Sequence, residues 1–475
     1  MNPMRVKYWS CCSLVVLCLL RLPASAQSYQ ISVELPALRD SQLLVASYYF
    51  GSVFVKDTLQ LDKNGRAVFS GTEPLPQGIY QLYLNPEKQF DFLVGTDQHF
   101  SITLPPGTEQ PTIKGADEPE KFQQYINYLA AQKEKLRSLN SRMHALEQQA
   151  DSQKIIQTEI RLLDSQVKAF QQNETQNNKN NLYGKLLLAN EKPVINEAEI
   201  PEAWQANDSL KWVYRYNYQK KHYWDHFDLN NPAMWRTPFV KEKLNEYINR
   251  VLLQTPDSVL PEAVRLIENQ RNNPELFQNL TSFLTNNAIQ SKIMGMENVF
   301  VDLARRYYLS GQATWADQKT LDNIRTEVAF REHNLVGNKA PELVLEDETG
   351  EFRSLYQSPT PYTLLVFWEP SCGHCKKEIP ALYTQIFEPS KPSQLTIYAI
   401  YTMTDKKEWT AFIAEHQLNG WVNAWDPNQL SGMKIHYGLR TTPSFFLIDK
   451  NKKIIAKQLD IAGLKQFLQS RGVLK

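Results

Sequence analysis

Apolar and polar positions change rhythm along the chain. From residue 28 to about 114, short runs such as YQISVEL, LLVASYYF, VFVKDTLQL and IYQLYL alternate with a period of two. That period predicts strands with one buried face. Asp62-Lys63-Asn64-Gly65, between two such runs, predicts a hairpin turn, because Asn-Gly accommodates the positive φ such turns need. Pro74, Pro76 and Gly78 break the next pair. The stretch 28–114 reads as a small β-sandwich with a binding or assembly role. It holds no cluster of acids, histidines or cysteines.

From Asp117 the period becomes helical. Phe122, Leu129, Leu136 and Met143 recur every seven residues, and Ile156, Ile160, Leu163, Val167 and Phe170 repeat the pattern. The two segments predict an antiparallel helical hairpin joined near Ala150-Asp151-Ser152, with the polar run Gln171 to Asn181 as a mobile loop after it. Helices continue to residue 331, interrupted by prolines, so 117–331 reads as an all-α region. Its aromatic stretch WVYRYNYQKKHYWDHF (212–227) places His222 and His226 four apart, with Asp225 and Asp228 nearby. Such a pair can bind a metal, but no Glu follows His222 as in an H-E-x-x-H site, and packing of an amphipathic helix is the favoured reading.

Residues 335–475 alternate strand and helix. Leu343-Val344-Leu345 and Glu351-Phe352 flank a turn, and TLLVFW (363–368) is a buried central strand followed by a helix. LTIYAIY (395–401) is a second buried strand and Lys406 to Glu415 a second helix. Ser444 to Ile448 and Ile454 to Ala456 form a hairpin, and Ile461 to Leu468 a closing helix.

Charge and cysteine usage narrow the function. The 475 residues carry 52 basic and 51 acidic side chains, which excludes an overall basic footprint for nucleic acid. Residues 1–26 read as an export signal: Arg5 and Lys7, then the apolar Ser10 to Leu20, then Ala24-Ser25-Ala26, with cleavage before Gln27. The apolar run is too short to span a membrane, and Leu17 before Cys18 does not suit a lipoprotein signal, so release into the periplasm is expected over lipid anchoring. Cleavage removes Arg5, Lys7 and Arg21 and no acid, leaving 49 basic against 51 acidic residues and a net charge of −2. It also removes three of five cysteines, leaving Cys372 and Cys375. Two cysteines in a chain this long are not a disulfide-stapled scaffold.

The strand-to-helix junction reads Phe367-Trp368-Glu369-Pro370-Ser371-Cys372-Gly373-His374-Cys375-Lys376-Lys377-Glu378-Ile379-Pro380. At a helix N-terminus, unpaired backbone N–H groups and the helix dipole favour a thiolate at Cys372, and His374 would add positive charge. Cys375, one turn on, is expected on the buried side. Haem attachment needs His directly after the second Cys, and residue 376 is Lys; a zinc site lacks further ligands. A purely structural disulfide across a four-residue loop would add little beyond local order, so redox chemistry is the favoured reading, with no cofactor beyond the cysteines.

Residues 335 to about 472 resemble the thioredoxin superfamily, specifically exported TlpA-like thiol-disulfide oxidoreductases. The resemblance rests on Val336-Gly337-Asn338-Lys339-Ala340-Pro341, Phe367-Trp368, the two cysteines, Pro380 and Thr441-Thr442-Pro443. It implies a cis Pro443 facing the cysteines, Thr442 lending backbone groups to substrate, and Glu378 transferring a proton as Cys375 attacks or leaves. Trp368, Gly373 and His374 are the further substrate-side positions. The buried acid that thioredoxins carry two residues before the tryptophan is replaced by Val366. A peroxiredoxin is disfavoured, because its P-x-x-x-[ST]-x-x-C pattern would fall on Leu365 and Glu369.

The expectation is a multidomain chain with an N-terminal all-β sandwich (28–114), a central all-α region with a long hairpin (117–331) and a C-terminal α/β thioredoxin fold (335–475). Cys372 would be the nucleophile and Cys375 the resolving thiol, exchanging disulfides with client proteins as a net reductant or as an isomerase. Expected partners are those clients, a membrane redox protein and a second copy joined through the hairpin. The alternatives are a binding or assembly protein of the envelope with a non-catalytic thioredoxin-like domain, and a glycan-binding module led by the β-region.

Overall fold

The computed structural model describes residues 28–86, 88–146, 150–390 and 392–474; the expected signal segment and its cleavage site lie outside them. The chain divides into two compact units, one ending at Leu244 and one beginning at Asn245. The helical stretch read as a single region is therefore shared between them.

In the first unit, eight strands form two four-stranded sheets: β1 (Tyr29–Glu34), β2 (Gln42–Tyr49), β3 (Ser52–Gln60), β4 (Arg66–Gly71), β5 (Gly78–Asn85), β6 (Lys88–Val94), β7 (His99–Thr103) and β8 (Thr112–Lys114). The orders are β4-β1-β7-β8 and β3-β2-β5-β6. Ile31, Val33, Leu43, Val45, Tyr80, Leu82, Phe92 and Phe100 interdigitate from both inner faces, which makes the pair a sandwich. Asp62 to Gly65 is a tight turn, with Asp62 Oδ1 accepting from the Asn64 and Arg66 amides, but it is not a hairpin. It passes the chain from β3 in one sheet to β4 in the other. The two-residue hairpin is Phe50-Gly51, joining β2 to β3 with both φ values positive (48° and 71°). Phe50 is held there by a ring stack on Trp235, 5.8 Å between centroids and 4° from parallel.

Helices α1 (Asp117–Ala145) and α2 (Ala150–Asn178) form the antiparallel hairpin, with Tyr125 and Tyr128 against Phe170 at one level and Arg142 paired with Glu159 near the tip. Acids in the first turn of α1 suit the helix dipole, and one of them, Glu118, also accepts from the Leu182 and Tyr183 amides that open α3 (Leu182–Ala189). The polar run expected as a mobile loop is helical as far as Asn178. Its inward-facing groups are tied to the neighbouring helices: Lys121 donates to Asn178 and Tyr183 donates to Glu174, while Gln172, Asn173, Gln176 and Asn177 are exposed. Helix α4 (Asp208–His222) carries the aromatic stretch as far as His222; residues 223–226 are turns, so His226 is off the helix, and His222 Nδ1 lies 2.6 Å from Asp225 Oδ2. Among the described residues no group of three or more His, Cys, Asp or Glu is placed to hold a metal.

Helix α5 (Val240–Glu246) leads into α6 (Pro256–Glu268), α7 (Pro274–Gln290), α8 (Met296–Leu303) and α9 (Gln318–Ala329) of the second unit. A seven-stranded sheet follows: β9 (Val344–Asp347), β10 (Phe352–Ser354), β11 (Tyr362–Trp368), β12 (Leu395–Tyr401), β13 (Val422–Trp425), β14 (Ser444–Ile448) and β15 (Ile454–Lys457), in the order β10-β9-β13-β12-β11-β14-β15. Helices α10 (Cys375–Leu382), α11 (Lys406–Glu415), α12 (Met433–His436) and α13 (Ile461–Ser470) complete it. Strands β11, β12 and β13 are parallel, and β14 runs antiparallel to β11. The short β13 and α12 were not foreseen. Apolar clusters on both faces of the central strands give the α/β layering. Among the described residues no helix is long and apolar enough to cross a membrane.

Candidate active site

Strand β11 is central and buried, so its C-terminal end is held on both sides. The chain leaves it at Trp368, turns through Glu369-Pro370-Ser371, and enters α10 at Cys375. Cys372 sits just ahead of that helix, its amide donating to Glu369 O at 3.3 Å and its carbonyl accepting from Lys376 N at 3.2 Å. Across from it, Thr442-Pro443 is a cis peptide immediately before β14. Cys372 Sγ donates to Thr442 O at 3.1 Å. Two pairs distant in sequence, Cys372 with Cys375 and Thr442 with Pro443, are thereby brought to one end of the sheet.

Both cysteines are free thiols, Cys372 half-buried and Cys375 fully buried. Partial burial pushes the Cys372 thiol up, but hydrogen bonds from the Cys375 amide, with contributions from Thr442, the Cys375 thiol and the His374 amide, outweigh it and leave the group below its ordinary value. Burial pushes Cys375 up to about 12, and the neighbouring Cys372 sulfur adds to this. The two shifts run in opposite directions, so Cys372 ionises more readily than Cys375, which stays protonated at neutral pH.

Gly373 and His374 are exposed, and a side chain built at Gly373 would meet nothing within 4 Å. Trp368 corrects the expectation: it is 0 % exposed, packed on Phe412 and Tyr401, so it backs the cysteine pair from within the core and cannot touch a substrate. Glu378 is half-buried and its carboxylate makes no hydrogen bond or ion pair among the described residues. It lines a cavity of about 460 Å³ together with Thr441, Pro443, Ser444 and Arg440.

Two groups at the site escaped the sequence reading. Glu369 places Oε1 3.2 Å from the Thr442 hydroxyl and Oε2 3.5 Å from the Thr402 hydroxyl, tying the loop that carries Pro443 to the strand end that carries Cys372. Its place inside the motif was a usable signal. Lys457, at the end of β15, is buried in the cavity wall and bonded to Glu297 (2.5 Å) and Asn334 (2.6 Å). No local pattern announces that pair, because Glu297 lies far upstream on α8.

Comparison with known proteins agrees with this geometry. The AhpC/TSA family model matches residues 336–457. Residues 29–122 and 149–331 match two domains of unknown function, DUF4369 and DUF5106. The thiol-disulfide oxidoreductase ResA of Geobacillus thermodenitrificans is 28% identical over 138 residues, covering 28% of this chain and 77% of the relative. A domain of a "possible thiol-disulfide isomerase" from Cytophaga hutchinsonii is 37% identical, covering 29% of this chain and 93% of that one, with a TM-score of 0.28. A thioredoxin-like protein from Bacteroides caccae is 18% identical, covers 59% of this chain and 98% of its own, and has a TM-score of 0.42. With a buried thiol, a reactive thiol and a cis-proline gathered at the end of a central strand, residues 336–457 belong to the AhpC/TSA family, as the thioredoxin-like domain of a thiol-disulfide oxidoreductase.

Proposed function

We propose that the chain is exported and exchanges disulfides with protein clients through Cys372-Gly373-His374-Cys375, as a net reductant or an isomerase. The observation that carries this reading is the split between the sulfurs: Cys372 lowered and reachable, Cys375 buried and raised to about 12. In the reducing direction the Cys372 thiolate attacks one sulfur of a client disulfide, and the departing client sulfur takes up a proton. Cys375 then gives up its proton and attacks Cys372. The second client thiol leaves, and two electrons have passed from the dithiol to the client. The carbonyl of Thr442 holds Cys372, Pro443 and the adjoining cavity receive the client backbone, and Glu378 at the cavity wall accepts the Cys375 proton. The basic and apolar composition of residues 1–26 supports export. A membrane protein would re-reduce the pair, and exposed Leu136, Ile155 and Leu162 on the helical hairpin would join two copies.

The test is the reduction potential of the pair, by glutathione equilibrium read as alkylation mass shift. A value below about −230 mV makes the protein a reductant, and one above roughly −200 mV an oxidant or isomerase. A pair that does not cycle removes the catalytic reading.

A further inference from the structure

The β3-β2-β5-β6 sheet carries a polar strip on its outer face, where a face covered by a helix is ordinarily apolar. Tyr48 on β2, Gln81 on β5 and Asp91 on β6 form it, with Gln81 directly opposite Asp91 in the ladder. Gln81 Nε2 donates to Tyr48 Oη at 2.9 Å and to Asp91 Oδ1 at 3.1 Å, and Tyr48 Oη donates to that same carboxylate oxygen at 3.1 Å. Helix α1 packs on β6 and brings Gln123 to the strip. Gln123 is 3 % exposed; its Nε2 donates to Asn127 Oδ1, and its Oε1 is buried with no hydrogen-bond partner.

Between strip and helix lies a cavity of about 810 Å³, which these four residues help to line. Asp91 has no ion pair among the described residues, and burial raises its carboxyl. A half-buried carboxylate without a cation, a buried amide oxygen without a donor and an unfilled space each cost stability, and here all three coincide. Local departures of this kind concentrate where a protein binds something.

The lining chemistry selects the ligand. Asn85, Gln89 and Gln110 carry side-chain amides with both donor and acceptor, and Gln123 Oε1 adds a buried acceptor, a set that matches the paired hydroxyls of a sugar ring. Pro111 and Ile126 add apolar surface for its C–H face. Lys88 opposes a cation, and Asp91 and Glu109 oppose an anion. We propose that this cavity binds a neutral, hydroxyl-rich ligand, a short saccharide, held by Gln81, Asp91 and Gln123. The site is separate from the redox pair and does not depend on it.

The test is saturation-transfer NMR on the full mature chain with maltose, cellobiose, lactose and diacetylchitobiose as probes, and putrescine as the cationic control. Binding of at least one disaccharide is expected, weakened about tenfold by Gln81→Leu, the loss of one well-placed hydrogen-bonding group. The near-isosteric Asp91→Asn should weaken it as well while keeping the near-UV circular dichroism, so that loss of fold is not mistaken for loss of site. Cys372→Ser should bind as wild type does. No signal from any of the four sugars, a signal unchanged in both cavity variants, or binding of putrescine in their place overturns the proposal.

Discussion

The two ends of the molecule keep their polar chemistry in opposite ways. In the thioredoxin-like domain the reactive groups stand three residues apart on one turn of chain, against a fully apolar core. In the sandwich, Tyr48, Gln81, Asp91 and Gln123 come from three strands and a helix and meet only when the fold closes. Contiguous chemistry can be read from a string of letters, whereas chemistry assembled across strands cannot. The first is also cheap to the fold, because a turn at a strand end is already solvated, while the second places polar groups where a seam would otherwise be dry.

Variants can break that comparison, the most severe first. Cys372→Ser should drop insulin-disulfide reduction to the uncatalysed baseline, while Cys375→Ser should accumulate mixed disulfides, seen by intact mass. Near-normal turnover by Cys375→Ser would show that the two sulfurs are not divided in role. Next comes Lys457→Met, which takes the buried cation from the half-buried Glu297 and leaves it Arg331 at 3.7 Å and the Gln458 amide; it should destabilise the domain by about 3 kcal/mol in urea titration, the low end for a broken buried pair because Arg331 remains. Adding Glu297→Met should recover much of that loss, and failure to do so would make the pair incidental.

Asp347 on β9 gives a smaller effect with a pH signature. Burial would raise its carboxyl, but donors from Thr349, Arg353 and the Glu351 amide outweigh this and hold it at about 2 against an ordinary 3.8. A depressed acid stabilises the fold fully above its ordinary value and loses that contribution as pH falls through the lowered one. Asp347→Asn should therefore cost about 1–3 kcal/mol at neutral pH, and the gap from wild type should close between about pH 4 and pH 2. Smallest is Glu369→Ala, which frees the Thr442 hydroxyl and should slow mixed-disulfide formation about two- to tenfold, the worth of one hydrogen bond. A shift in the pH profile of Cys372 alkylation, without change in melting temperature, would separate positioning from packing.

What the sequence disclosed follows the same division. β12 and β14 match the apolar runs to the residue, because central strands buried on both sides leave no ambiguity of face, and α11 matches through its amphipathic period, with Trp409, Phe412 and Ile413 on the buried side. β13 was missed since it is four residues long with buried Asn423 in its middle, whose Nδ2 donates to Leu418 O, a partner no window over the strand includes. The helical end of α2 was missed for a related reason: two of its polar side chains, Glu174 and Asn178, bond to α3 and α1, which anchors the turn no apolar residue marks. Asp62-Gly65 shows the limit of turn signals, which specify the bend and not the sheet the next strand joins. At the redox site the cysteines and the Thr442-Pro443 loop were legible, whereas the anchoring role of Glu369 needed the distance to Thr442.

The exposed dipeptide between the cysteines has one more consequence. Nothing packs against Gly373, and His374 faces solvent, so replacing either residue asks almost nothing of the core. The electron affinity of the pair can therefore drift over generations independently of folding, like a tuning screw mounted outside the casing. Substitutions at these two positions would be felt in the chemistry of the pair and hardly at all in the melting temperature.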